Sequence, residues 1–262
     1  MGKTEADLLF KRYLLDNGYR PGEHEPDLSA SGVETHPDYL VARGGQTVAC
    51  EVKSFRAGAS KAEKRLTETR SGVLSAKETL GPIRNQLKTG AKQLKPLADW
   101  NIPLVIVLAN PEQAFVHLSV EEVAEAMYGD PTVVIPLDPE TGEQVGPDQF
   151  VLGRDGKLTR SHQYVSAVAA LGTRPKRVDD QDEVIKQWRE DVEGREFASL
   201  SEKSVSLMNR LEGADFPEGD DPCLDVIETL SESATPLPDS WFSGPFDTRW
   251  RSDGAGSIVR VR

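Results

Sequence analysis

The pair Gly44-Gly45 constrains this chain more than any other feature. It separates Tyr39-Leu-Val-Ala-Arg43 from Gln46-Thr-Val-Ala-Cys-Glu-Val-Lys53, two runs rich in apolar and β-branched residues. Two glycines accept the left-handed backbone that a two-residue hairpin turn requires, so the spacing predicts a tight antiparallel hairpin. With Arg43 opposite Gln46, Asp38 falls opposite Glu51, and directly opposed residues hold their Cβ atoms roughly 4.5–5.5 Å apart. Side chains alternate along a strand. Lys53 therefore shares the face of Glu51, while Tyr39, Val41, Val48, Cys50 and Val52 point the other way.

Two carboxylates and an ammonium are thus expected to converge in apolar surroundings. Like charges in a partly buried place are costly, and either one acid takes up a proton or a cation stands between them. Mg²⁺ suits the second solution, because it binds one or two carboxylates and keeps waters and substrate phosphate as its other ligands. Lys53 would orient an attacking water or offset developing charge. The plainer reading is a salt-bridged surface hairpin in which Lys53 only neutralises the acids. A register slip of one residue would send Asp38 to the opposite face and remove the constellation.

Around the hairpin the pattern alternates helices and strands. Residues 4–16 read as a helix with Leu8, Leu9, Tyr13 and Leu14 as its apolar stripe, Thr4 and Asp7 as a capping box, and Asn17-Gly18 as its end. A helix is predicted over 82–99, with Pro82 in its first turn and Ile83, Leu87, Ala91, Leu94 and Ala98 on one face. The apolar run 103–109 reads as a buried strand, too short to span a bilayer. Ser119 and Glu122 announce another helix, ended by Gly129. Further strands are expected at 132–137 and across 149–171, the latter turning at Asp155-Gly156. The character changes near Arg174-Pro175. Residues 179–212 are acidic and helical by pattern, and the tail carries Trp241, Phe242, Phe246 and Trp250, expected to pack it onto the body. This divides the chain into residues 1–175 and an accessory region, 176–262.

Charge is distributed unevenly. The net charge is -12, yet residues 1–100 carry 16 Lys/Arg against 13 Asp/Glu, leaving 15 against 30 for the remainder. Within residues 53–95, Lys53, Arg56, Lys61, Lys64, Arg65, Arg70, Lys77, Arg84, Lys88, Lys92 and Lys95 face only Glu63, Glu68 and Glu78. Screening confines such effects to about 8 Å at physiological salt, so the local patch outweighs the total. On the 82–99 helix, Arg84, Lys88, Lys92 and Lys95 form one stripe, fit either to track a phosphate backbone or to serve as a solvated face. His24, His36, His117 and His162 show no zinc spacing, and Cys50 and Cys223 cannot build a disulfide framework. With no apolar leader core at the start, the cytoplasm is the expected compartment.

Pro37-Asp38, twelve residues, then Glu51-Val52-Lys53 resembles the PD-(D/E)XK nuclease superfamily, which includes restriction endonucleases and Holliday-junction resolvases. The order of elements over roughly residues 4–110 resembles that superfamily's αβββαβ core. The resemblance implies an α/β, restriction-endonuclease-like core with a central mixed β-sheet flanked by helices, plus a C-terminal accessory region. It implies Asp38 and Glu51 as metal ligands, Lys53 as the catalytic lysine and Glu5 as an acid of the first helix that assists the metal. Glu23, Glu25 or Asp27 would be a further ligand, with no basis for choosing among them. Gln86 and Gln93 would touch substrate beside Arg84, Lys88, Lys92 and Lys95. The expected activity is Mg²⁺-dependent hydrolysis of DNA phosphodiesters in defence, restriction or repair, with Mn²⁺ able to substitute and RNA also compatible. A homodimer or a larger complex is compatible too. The alternative is a catalytically silent nuclease fold retained as a DNA-binding subunit.

Overall fold

The computed structural model describes residues 3–29, 36–58, 76–147, 149–152, 156–175, 177–193, 199–212, 220–253 and 258–261. Its centre is strand β4 (Leu104–Ala109), buried at every position. Such a strand needs cover on both faces. Leu104, Ile106 and Leu108 enter one apolar cluster, and Val105, Val107 and Ala109 enter the other. The fold is α/β: a large mixed sheet with helices packed on its faces.

The first half of the sheet comprises β1 (Arg20–His24), β2 (Tyr39–Arg43), β3 (Gln46–Ser54) and β4 in spatial order. Strands β2 and β3 pair antiparallel from Tyr39↔Cys50 to Arg43↔Gln46, the register anticipated from the turn. Gly44 and Gly45 both have positive φ, +58° and +80°, which is why glycine occupies both turn positions. Strand β3 then runs parallel to β4, placing Glu51 beside Ile106 and Lys53 beside Leu108.

Helix α1 (Glu5–Asp16) covers one face. Its N-terminus carries the expected capping box, in which the Thr4 hydroxyl accepts from the Asp7 N–H and the Asp7 carboxylate accepts from the Thr4 N–H. The buried stripe, however, is Ala6, Asp7, Phe10, Tyr13 and Leu14, and Leu8 is more than half exposed. Stacked and edge-on contacts of Phe10 and Tyr13 with Tyr19, Tyr39 and Phe242 set this rotation. An aromatic cluster buries more area than Leu8 could.

Helix α2 (Ala76–Leu94) covers the opposite face through Leu80, Ile83, Leu87, Ala91 and Leu94. It begins six residues before the expected start, and Pro82 sits inside it at the cost of one backbone bond. It also ends before residue 99. Pro96 has no N–H for the next α-helical bond, and residues Lys95–Trp100 tighten into a 3₁₀ helix that stops at Asn101 with φ +53°. Helix α3 (Val120–Tyr128) joins the same face, with the Ser119 hydroxyl accepting from the Glu122 N–H.

The expected strand pair across 149–171 is not formed. Strand β6 (Gln149–Leu152) pairs instead with β5 (Pro131–Val134), while β7 (Ala167–Pro175) adds parallel to β4. Asp155 lies outside the described residues. Gly156 serves a different purpose: a Cβ there would lie 2.2 Å from the Tyr128 carbonyl carbon, so glycine lets the chain pass the end of α3. The adjacent Lys157 and Leu158 N–H groups donate to Ala126 and Met127.

The chain divides into two compact units, residues Thr173–Pro222 and the rest. The smaller holds α4 (Arg177–Asp191) and α5 (Leu200–Glu212), tied by Trp188 Nε1 donating to Ser206 Oγ at 3.2 Å. The expected accessory region is therefore split. Residues after 222 return to the large sheet as β8 (Asp220–Glu228), β9 (Thr248–Ser252) and β10 (Ile258–Arg260), in the order β4-β7-β8-β9-β10. Trp241 and Phe242 are buried anchors in the α1 cluster. Asp247 fixes the return by accepting from Tyr13 Oη (2.5 Å), Gly244 N (2.6 Å) and Leu224 N (2.8 Å). Among the described residues, no helix is long and apolar enough to cross a membrane.

Candidate active site

Asp38 lies one residue before β2, where continuing the register sets it opposite Glu51. Its Oδ2 accepts from the Val52 N–H at 2.7 Å, tying it to β3. Burial raises its proton affinity, against the pull of the Val52 N–H and the Lys53 charge. Glu51 has no exposed surface, and Lys53 Nζ donates to its Oε1 at 2.5 Å. Its Oε2 has no hydrogen-bond partner. Burial first, and then the Asp38 charge, push the Glu51 pKa up to about 8 although Lys53 opposes both. At neutral pH this carboxyl therefore retains a proton for much of the time, the outcome expected where two acids share a dry place without a cation.

Two further groups stand against Asp38. His24, at the end of β1, is paired in register with Tyr39, and its ring meets the Tyr39 ring edge-on at 5.2 Å. Its Nε2 lies 3.5 Å from Asp7 Oδ1 and 4.0 Å from Asp38 Oδ1, yet is buried and bonded to nothing. Asp7 reaches this point from α1, its Oδ2 held by the Thr4 N–H (2.8 Å) and hydroxyl (2.7 Å). One ligand atom from each of Asp7, His24 and Asp38 lies within 4.8 Å of the other two.

The expected acid of the first helix was Glu5, which is exposed. Asp7 is two residues on, and two residues rotate about 200° around a helix, so only one of them can face the sheet. The acid-rich stretch before the hairpin contributes His24 rather than Glu23, Glu25 or Asp27 to this group. In the sequence Asp7 shows only as the partner of Thr4 in a capping box. His24 had no comparable sign, because its neighbours come from distant strands.

The basic stripe divides. Arg84 is turned inward and paired with Asp130. Lys88, Lys92 and Lys95 are exposed, and together with burial they lower the proton affinity of His162. Gln86 Nε2 donates to the Ser54 carbonyl at 2.9 Å, binding α2 to the strand that carries Lys53. Gln93 is half-buried two turns further along. Lys61, Lys64, Arg65 and Arg70 lie outside the described residues.

Comparison with family models, curated proteins and solved structures finds no match to this chain.

Proposed function

We propose that the chain is a metal-dependent nuclease of PD-(D/E)XK type that hydrolyses DNA phosphodiester bonds. The observation that carries the reading is the setting of Glu51: a fully buried carboxyl group with one oxygen on Lys53 and the other without a donor beside the acid Asp38, where two negative charges need a proton or a cation between them. Leaving such an acceptor unsatisfied is expensive. A cation shared with Asp38 satisfies it, and the oxygen donor set fits Mg²⁺, with Mn²⁺ as a substitute. Bound there, a divalent ion would polarise a phosphate oxygen and make a coordinated water more acidic.

The protein groups have separate tasks. Val52 N–H holds Asp38 so that Oδ1 is presented. Lys53, beside Glu51, would be placed to donate to an attacking water or to a phosphate oxygen where negative charge builds. Gln86 keeps α2 against β3, and the exposed Lys88, Lys92 and Lys95 offer three cations to a backbone running past the site.

Incubation of single-stranded, duplex and branched DNA with Mg²⁺, Mn²⁺ or EDTA tests the reading. Cutting should require metal and disappear in Asp38→Ala and Lys53→Ala. Retention of DNA without cutting of any substrate would replace the enzyme with a silent DNA-binding subunit.

A further inference from the structure

We infer that Asp7, His24 and Asp38 form a mixed nitrogen–oxygen site for a first-row transition-metal ion such as Mn²⁺, which it holds in preference to Mg²⁺. The inference deepens the nuclease reading and shares with it the role of Asp38 as an ion ligand, but it stands on different atoms.

The first argument is preorganisation. Each carboxylate has one oxygen fastened by the protein and the other aimed at a common point. In Asp7, Oδ2 is held by both donors of Thr4 and Oδ1 faces His24. In Asp38, Oδ2 is held by Val52 N–H and Oδ1 faces the same imidazole. The imidazole is set in turn by the edge of the Tyr39 ring, and Tyr39 Oη donates to the Asp7 carbonyl at 3.1 Å. Outer contacts of this kind orient metal ligands and account for much of a site's affinity.

The second argument is spacing. At 3.5 and 4.0 Å, Nε2 is too far from either carboxylate to hydrogen-bond, although nothing else satisfies it. A histidine acting as a simple counter-cation would close onto one of the two acids. Ligands bonded at about 2.1 Å to a shared ion stand up to roughly 4.2 Å apart. The observed limit of 4.8 Å needs only a small side-chain adjustment to reach that span.

The third is ligand type. Mg²⁺ favours oxygen and sheds water reluctantly, whereas imidazole nitrogen suits first-row transition metals, of which Mn²⁺ binds such donors least tightly and serves as the paramagnetic probe. The three elements that supply the ligands, α1, β1 and the residue preceding β2, are separate from the strand that carries Glu51 and Lys53. The same end of the sheet thus presents an all-carboxylate pair and a nitrogen-containing triad that meet at Asp38.

Electron paramagnetic resonance of Mn²⁺ added to the full chain decides the matter without any cleavage assay. The bound ion should show ¹⁴N coupling, lost in His24→Gln, and a tenfold excess of Mg²⁺ should fail to displace it. Asp7→Asn, which retains an oxygen for the Thr4 cap, should weaken Mn²⁺ binding by at least about tenfold. Should His24→Gln not fold, ¹⁵N-histidine labelling of the parent chain replaces it, and the coupling must change with the isotope. Bound Mn²⁺ without nitrogen coupling, or displaced by equimolar Mg²⁺, overturns the inference. Nitrogen-coupled Mn²⁺ on a protein that cuts no DNA supports the site and removes the nuclease. Mg²⁺-driven cutting with no nitrogen coupling does the reverse.

Discussion

Two carboxylates in one sheet, one half-buried and one fully buried, behave in opposite ways. Glu228, at the end of β8, is bracketed by two guanidinium groups: Arg249 reaches Oε1 and Arg251 reaches Oε2. The remaining donors of Arg249 go to the carbonyls of Leu237 and Pro238. Glu51, deeper still, has a single lysine and an idle oxygen, and it stands beside another acid and an idle imidazole nitrogen. Buried charge that serves only the fold is saturated with partners, because any shortfall costs stability. The shortfall around Asp38 concentrates two unmet needs, Glu51 Oε2 and His24 Nε2, at one end of the sheet, and a ligand is what meets such needs together.

The contrast can be broken most forcefully at the saturated pole. Arg249→Met leaves Glu228 without its buried partner and should cost about 3–5 kcal/mol in denaturant unfolding. A loss below about 1 kcal/mol would mean that the cluster is not the structural member of the pair. At the other pole, Asp38→Ala and Lys53→Ala should each lower cleavage by about 10²–10³-fold, as expected for loss of a preorganised charge, while Asp38→Ala, which removes a charge that opposes Glu51, should leave the unfolding midpoint little changed. A midpoint collapse equal to that of Arg249→Met would erase the distinction.

A subtler effect follows from Glu51. Its folded pKa is raised to about 8 from an ordinary value of 4.5. Between those values the folded chain keeps a proton that the unfolded chain has lost. Its contribution to stability is therefore complete below pH 4.5 and drains away as pH rises towards 8, with a slope of at most about 1.4 kcal/mol per pH unit for one proton. Metal-free thermal melts across this range should show the decline, and Glu51→Gln should flatten it. A decline unaltered in that variant would place the titration elsewhere. The smallest effect concerns α2. Charge reversal at Lys88 and Lys92 should reduce the salt dependence of DNA retention by about 0.9 per lost phosphate contact. An unchanged slope would assign those lysines to solvent.

What the sequence disclosed was local. Gly44-Gly45 fixed the hairpin register because a two-residue turn leaves no freedom, and the hydroxyl caps of α1 and α3 were readable because donor and acceptor lie three residues apart. Asp7 was visible only as a cap. One of its oxygens does close the helix, and the second faces His24, a meeting that depends on β1 pairing with β2 and on the aromatic rotation of α1. The return of residues 223–262 to the sheet was hidden for a similar reason. β8 follows a stretch rich in proline, glycine and acid, and only its partner strands, supplied from far along the chain, reveal it as part of the core.

The hydrogen bond from Tyr13 to Asp247 spans 234 residues. It lies, with Trp241 and Phe242, behind the helix that carries Asp7, so that helix is braced by a segment from far along the chain. Contacts so distant in sequence form late. In time rather than in space, the bracing acts as a delay: until the segment around Asp247 has been made, the helix that carries Asp7 lacks its backing, and the group around Asp38 waits for it.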